Sequence, residues 1–246
     1  MSVVIGLSHF NSFLGGENGI LAPPKGVNML SRKVKEAIRD LRYLLDRGYP
    51  RDSAVEFVTN HYRLRLGQRH LLARCVFSHS EIIRHRGKSI SMSEVRGQKL
   101  GIDGYNVLIT VESILTKKQV IRCDDGFIRD LRAIFGKYRM TRSTRRALAE
   151  LLQVVSDVRP RETVILFDQQ VSRSGELAAM AREVLAQLGL RGDAQTAVGT
   201  DAKVRGFDVA ASSDRAIIER ARAVWDIPAA VVRRRSAKVV DLSKIR

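Results

Sequence analysis

The chain is poor in the residues that would settle its chemistry at a glance. Its two cysteines, Cys75 and Cys123, sit in apolar neighbourhoods with no Cys-x-x-Cys partner, which argues against a zinc site or the disulfide framework of a secreted domain and fits a reducing cytoplasm. All five histidines precede residue 86, so no Ser-His-Asp arrangement is available downstream. No apolar run approaches the roughly 18 residues of a membrane-spanning helix, and the first residues lack the basic and apolar regions of a signal peptide. A soluble cytoplasmic protein without a membrane partner is expected. No glycine fingerprint follows the first strand of the second half, which speaks against a P-loop or dinucleotide fold.

What is present is a globular balance, 44% apolar and 28% charged over 246 residues, together with a marked basic excess. Lys and Arg number 43 against 26 Asp and Glu, for a net charge of +17. The excess is uneven: residues 1–30 are neutral, 31–100 carry +9, 101–230 only +3 and 231–246 +5. A basic front and tail point to a polyanion, because neutralising phosphates releases counterions; general surface charging is the bland alternative.

Hydrophobic patterning divides the chain. Residues 1–30 read as a flexible leader, with Met1 or Met29 as the start. Residues 31–80 read as a small basic all-α domain of three helices. Val34, Ile38, Leu41 and Leu45 repeat on one face of the first; Gly48-Tyr49-Pro50 breaks it, and Asp52 or Ser53 caps the second. The third runs over Leu71, Leu72, Cys75 and Val76. His61 and His70 are read as surface or interface residues. Residues 81–98 read as a connection. Residues 99–235 read as an α/β domain with a mainly parallel sheet flanked by helices. Its strands are expected at 100–103, 119–123, 163–167, 194–198 and 208–212, its helices at 127–136, 143–156, 175–188 and 214–224, with a further strand at 229–232. Residues 236–246 form a basic tail or edge strand.

In an open parallel sheet, ligands bind beyond the carboxyl ends of the strands, and here those ends carry aspartates: Asp103, Asp124 with Asp125, Asp168, Asp201 and Asp214. Such carboxylates repel one another unless a cation sits among them, and hard oxygen ligands suit Mg²⁺ or Mn²⁺. Each also has an ordinary reading as a helix cap or turn former. Asp103 is distinguished by Gly104, which permits close backbone approach, by Tyr105, which offers a stacking face, and by Asn106, an uncharged ligand or water anchor. Asp208 opens its strand at the wrong end of the sheet. Glu112, nine residues after Asp103, reaches the pocket or faces solvent.

Ile102-Asp103-Gly104-Tyr105-Asn106-Val107-Leu108 resembles the opening strand of the PIN-like superfamily in its NYN branch. Val164–Asp168 resembles that branch's inner strand, Thr200-Asp201-Ala202-Lys203 its acidic segment, and Ser212-Ser213-Asp214-Arg215 its turn into a helix. The resemblance covers roughly 98–235. It implies Asp103, Asp201 and Asp214 as catalytic metal ligands, with Asp168 as a further ligand and Asn106 in support, and Mg²⁺- or Mn²⁺-dependent ribonuclease activity; Glu112 is a supporting candidate by its position alone. One departure stands out: only twelve residues separate Asp201 from Asp214, where the family usually has a full helix. The front half, through Leu41–Pro50 and Asn60-His-Tyr-Arg-Leu, resembles a mainly archaeal domain of unknown function, number 434, which names no activity.

The expectation is therefore a metal-dependent ribonuclease with RNA as partner. Arg63, Arg65, Arg69, Lys137, Arg139, Arg142, Lys203 and Arg205 are its expected backbone contacts. The alternatives are a non-catalytic RNA- or ribosome-binding adaptor on the same fold and a DNA-binding regulator using the helical front. A haloacid-dehalogenase phosphatase needs an Asp where Tyr105 stands.

Overall fold

The computed structural model describes residues 29–132 and 138–245. Residues 1–28 of the expected leader, and Lys137, lie outside the described residues.

α1 (Arg32–Asp46) buries Val34, Ala37, Ile38, Leu41 and Leu45, the three- and four-residue spacing of an amphipathic helix. α2 (Arg51–His61) starts behind Pro50 at the N-cap, not at Asp52 or Ser53; Asp52 instead occupies the first turn, where a negative charge suits the positive helix end. α3 (Leu66–Cys75) completes the expected trio. His70 is buried rather than at the surface, and burial lowers its pKa.

The stretch expected as a connection is itself folded, into α4 (His79–Lys88) and the short α5 (Met92–Val95). Each begins with Ser-x-x-Glu. Ser78 Oγ accepts from Glu81 N at 3.2 Å while Glu81 Oε2 accepts from Ser78 N at 2.9 Å, and Ser91 N donates to Glu94 Oε2 at 2.8 Å. These reciprocal bonds satisfy amides that a helix start otherwise leaves bare.

The second half runs β1 (Lys99–Asp103), α6 (Gly104–Leu115), β2 (Val120–Arg122), β3 (Ile128–Asp130), α7 (Arg142–Val158), β4 (Glu162–Asp168), α8 (Ser174–Gln187), β5 (Gly192–Ala197), α9 (Thr200–Val204), β6 (Val209–Ala211), α10 (Arg215–Arg220), α11 (Ile227–Arg235) and β7 (Val240–Asp241). β5-β4-β1-β6 form an entirely parallel sheet. Helices cover its faces, as parallel strands buried on both sides require.

Three expectations fail. β2 belongs to a second sheet of order β3-β2-β7. The helix placed at 127–136 is replaced at its start by β3, because Asp125-Gly126, with Gly126 at φ +92°, turns the chain into an antiparallel hairpin. The 229–232 strand is part of α11, whose Asp226 cap accepts from Ala229 N at 2.9 Å and whose first turn holds Pro228, a proline position that suits a helix start.

The helical bundle does not close on itself. Its core of Ile38, Leu41, Leu71, Leu72 and Phe77 takes in Ile121 and Cys123 from the second sheet and Leu242 and Ile245 from the chain end. The helical front and the second sheet with the chain end therefore share one apolar cluster, beside a separate one around the parallel sheet. Heating should give a single cooperative transition rather than two. Ile121→Ala, which opens a cavity at that junction, should cost about 2–5 kcal/mol and lower that one transition; two separated calorimetric peaks in the unaltered protein would show independent units instead.

Candidate active site

Each strand of the parallel sheet delivers an aspartate at or just beyond its carboxyl end. Asp103 ends β1 and Asp168 ends β4; Asp201 follows β5 in the first turn of α9, and Asp214 follows β6 as the cap of α10. In sheet order they fall as Asp201, Asp168, Asp103, Asp214. The twelve-residue spacer holds only the last three residues of α9, a loop and β6, and Asp201, in the first turn of α9 after β5, still lies along this rim. Asp208 lies at the opposite end of the sheet, accepting from Lys99 N at 3.0 Å.

These carboxylates feel one another. Burial first, then the charge of Asp201 and that of Asp214, push Asp103 up to about 8, against the opposing Ser212 and Asn106 hydrogen bonds. Asp201 is raised by burial, by Asp214 and by Asp168, with Arg205 opposing. Among the described residues none of the four makes an ion pair; elsewhere Glu81, Glu112, Asp124, Asp125 and Glu150 each hold a guanidinium.

A scaffold of side-chain bonds holds the rim. Ser212 Oγ donates to Asp103 Oδ2 at 2.8 Å. Asn106 Oδ1 accepts from both Ser213 N (3.0 Å) and Ser213 Oγ (2.9 Å). Asn106 thus spends its oxygen on the Ser212-Ser213-Asp214 turn and is not an open ligand. A Cβ on Gly104 would stand 2.5 Å from the Phe167 ring and 2.9 Å from Leu166 O, so the close approach that glycine permits is between β4 and the first turn of α6. Tyr105 offers no stacking face: it is buried, edge-on to Phe167 and Tyr138 at 5.2 and 5.6 Å.

Other expected residues are engaged elsewhere. Glu112 neither reaches the rim nor faces solvent; it is buried in an ion pair with Arg132 at 2.7 Å and accepts from Thr141 and Ser143 at the start of α7. Asp124 takes Arg42 at 2.9 and 2.5 Å, and Asp125 takes His85 and Arg129, so neither joins the rim. Of the expected nucleic-acid contacts, Arg69 is spent on Leu64 O (2.9 Å) and Thr59 Oγ1 (3.3 Å). Arg63, Arg65, Arg139, Arg142 and Lys203 are exposed, and Arg205 stands half-buried near Asp201. The sequence reading placed Ser212 and Ser213 in the turn without giving them a role, and missed Arg129. Arg129 donates from Nε to Ser213 O at 2.7 Å, and its sequence distance from that turn gave no signal.

The donor set suits a hard divalent ion in kind. Asp168 Oδ1 caps Gln170 N, and Asp214 Oδ1 caps Ala216 N and Ile217 N. Among the described residues their Oδ2 atoms, and both oxygens of Asp201, carry no hydrogen bond or ion pair. The four do not form a closed cage: among the described residues no group of three acidic, histidine or cysteine side chains stands ready to hold an ion.

Residues 92–230 match a domain of unknown function, DUF5616, and residues 33–88 a protein family of unknown function, DUF434. Over 186 residues the chain is 33% identical to the uncharacterized protein MJ0935 of Methanocaldococcus jannaschii, covering 76% of this chain and 89% of the relative. No solved structure matches. Among the described residues no helix is long and apolar enough to cross a membrane.

A carboxyl raised from 3.8 to about 8 keeps its proton in the folded state over a range where the unfolded chain has lost it. Its contribution is full below pH ~4 and falls away as pH rises toward 8. With ions removed by chelator, Asp103→Asn should flatten that decline and raise stability at pH 8 by on the order of a few kcal/mol. Urea unfolding at pH 5 and pH 8 reads it out, and an unchanged pH slope would contradict the burial of this charge.

Proposed function

For a chain that belongs to the DUF5616 family, with a DUF434 unit in front, we propose metal-dependent hydrolysis of RNA at the aspartate rim, on a PIN-like α/β fold. One observation carries it: four parallel strands bring four aspartates to one edge of the sheet, none of them in an ion pair among the described residues, while Glu112, Asp124 and Asp125 in the same molecule each take a guanidinium partner. The PIN-like likeness of Asp103-Gly-Tyr-Asn and Ser-Ser-Asp-Arg supports the same reading.

Asp201, with the unengaged Oδ2 atoms of Asp168 and Asp214, would hold Mg²⁺ or Mn²⁺, and Asp103, already bonded to Ser212 and to the Asn106 amide, would join them. When bound, such an ion lowers the pKa of a water and stabilises charge on the phosphoryl oxygens. The chain's own residues do the rest. Ser212 fixes Asp103 through its hydroxyl, and Asn106 fixes the turn that carries Asp214. Arg205 offers a positive charge beside Asp201, and exposed Lys203 adds another within the same short helix; both suit a phosphate backbone, which positions without specifying sequence. No histidine lies in this half, so proton transfer falls to the carboxylates and solvent.

The open arrangement of the rim, with Asp214 committed to capping α10, favours a second reading as a non-catalytic RNA- or ribosome-binding adaptor. Purified protein incubated with labelled single-stranded RNA and Mn²⁺ or Mg²⁺ separates the two. The hydrolase cleaves, and Asp103→Asn reduces the rate by at least about a hundredfold, in the range seen when one strong catalytic contribution is lost. Salt-sensitive binding with no cleavage by the unaltered protein establishes the adaptor instead.

A further inference from the structure

Arg129 is only 3% exposed, an unusual place for a guanidinium. Its terminal nitrogens grip Asp125 at 2.7 and 2.7 Å, which leaves Nε aimed at Ser213 O, 2.7 Å away. The rings of Phe77 and Phe127 flank it at 4.9 and 5.9 Å. The peptide unit of Ser213 is thereby held on both sides, its N–H by Asn106 from α6 and its carbonyl by Arg129 from the hairpin.

The hairpin in turn is set by the helical front. Asp125 Oδ2 bonds His85 Nδ1 of α4 at 2.9 Å, with both side chains fully buried. Burial alone would raise Asp125, yet Arg129 and His85 hold it down at about 2. Next to it, Asp124 N donates to Cys75 O (3.0 Å), Phe77 N donates to Asp124 Oδ2 (3.2 Å), and Arg86 donates to Asp124 O (2.9 Å). A continuous run of polar contacts thus leads from α4 through Asp125 and Arg129 to the turn that presents Asp214.

We infer that Arg129 is a positioning residue for the aspartate rim, through which the helical front sets the place of the Ser212-Ser213-Asp214 turn. The inference rests on reading that rim as the functional site, and it gives the DUF434 unit a role beyond binding. Arginine suits the task because its planar fork fixes direction: once Asp125 takes two nitrogens, the third donor has one place to point. A lysine carries the charge without that directional control.

Three variants test it: Arg129→Lys, the doubly neutralised Asp125→Asn/Arg129→Met, and His85→Phe. The double variant removes both members of the buried pair together, so neither is left as the uncompensated charge that usually causes collapse, and it keeps the test open if a single variant fails to fold. Hydrogen exchange of the amides at 213–217, Mn²⁺ titration and thermal unfolding are measured together. The expected result is exchange at 213–217 at least about tenfold faster and Mn²⁺ affinity about 10–100-fold weaker, as for loss of a group that orients ligands, with global unfolding still a single transition. Unaltered exchange at 213–217 in both Arg129 variants overturns the positioning role, and unaltered exchange in His85→Phe overturns the link to the helical front. If the unaltered protein binds no Mn²⁺ and cleaves no RNA while exchange responds as described, the hydrolase reading falls and the positioning stands.

Discussion

Like charges brought together in a partly desolvated place must be paired, protonated or supplied with a counter-ion, because their repulsion grows as water is removed. The parallel sheet creates that problem by construction: every strand points its carboxyl end the same way, and every strand here ends near an aspartate. At four acids elsewhere the molecule meets the problem by pairing. Glu112 has Arg132, Asp124 has Arg42, Asp125 has Arg129, and Glu150 has Arg235. At the rim, hydroxyls and amides replace guanidinium groups, and they orient an oxygen without cancelling its charge. Burial first, and then the charges of Asp201 and Asp214, push Asp103 up to about 8.

The paired acids have a structural task of their own. A buried ion pair recovers its desolvation cost only when its geometry is exact and its remaining atoms are bonded, and an apolar substitute is often as stable. Asp124 and Asp125 meet that condition: Arg42, Phe77 N and Arg86 surround the first, and His85, Phe127 N and Arg129 the second. Apolar contacts between helices and hairpin would glue the halves together as well, but would tolerate sliding. Directional bonds to one hairpin turn fix where β3 sits and hence where the Arg129 fork points. The charges are explained by placement better than by stability.

Much of this was legible in the residues because it is local. The α1 face follows from Val34, Ile38, Leu41 and Leu45, and the parallel sheet from apolar runs separated by helical stretches. Asp103, Asp168, Asp201 and Asp214 stood out because strand ends carry ligands in such folds. Two errors had local remedies: Ser78-x-x-Glu81 and Ser91-x-x-Glu94 announce helices where a connection was expected, and Asp125-Gly126 announces a hairpin where a helix was expected. The 229–232 run misled because Ala-Ala-Val-Val suits either state and the decisive signal lay outside it, in Asp226 and Pro228. The fates of Glu112 and Arg129 were not legible. Glu112 meets Arg132, 20 residues on, and Arg129, whose acid Asp125 is only four residues away, meets the Ser213 carbonyl 84 residues on; nothing in a single sequence announces either long-range contact.

The sign of the charge changes with distance from the rim, and this bears on any polyanion the molecule meets. Within reach of a Debye length of about 8 Å, a chain of net charge +17 attracts phosphates. Close to the rim, an approaching phosphate meets Asp201 and Asp214 with Arg205 as the nearby opposing charge. Attraction therefore draws the strand in and repulsion stops it short, unless the carboxylates have first been neutralised. Protonation does this for Asp103 near neutral pH, but it also removes the charge a hydrolytic site would use. On the proposed hydrolase reading, a divalent cation would neutralise the rim and keep its oxygens as ligands, so of the two remedies only the cation would let the attraction end in productive contact.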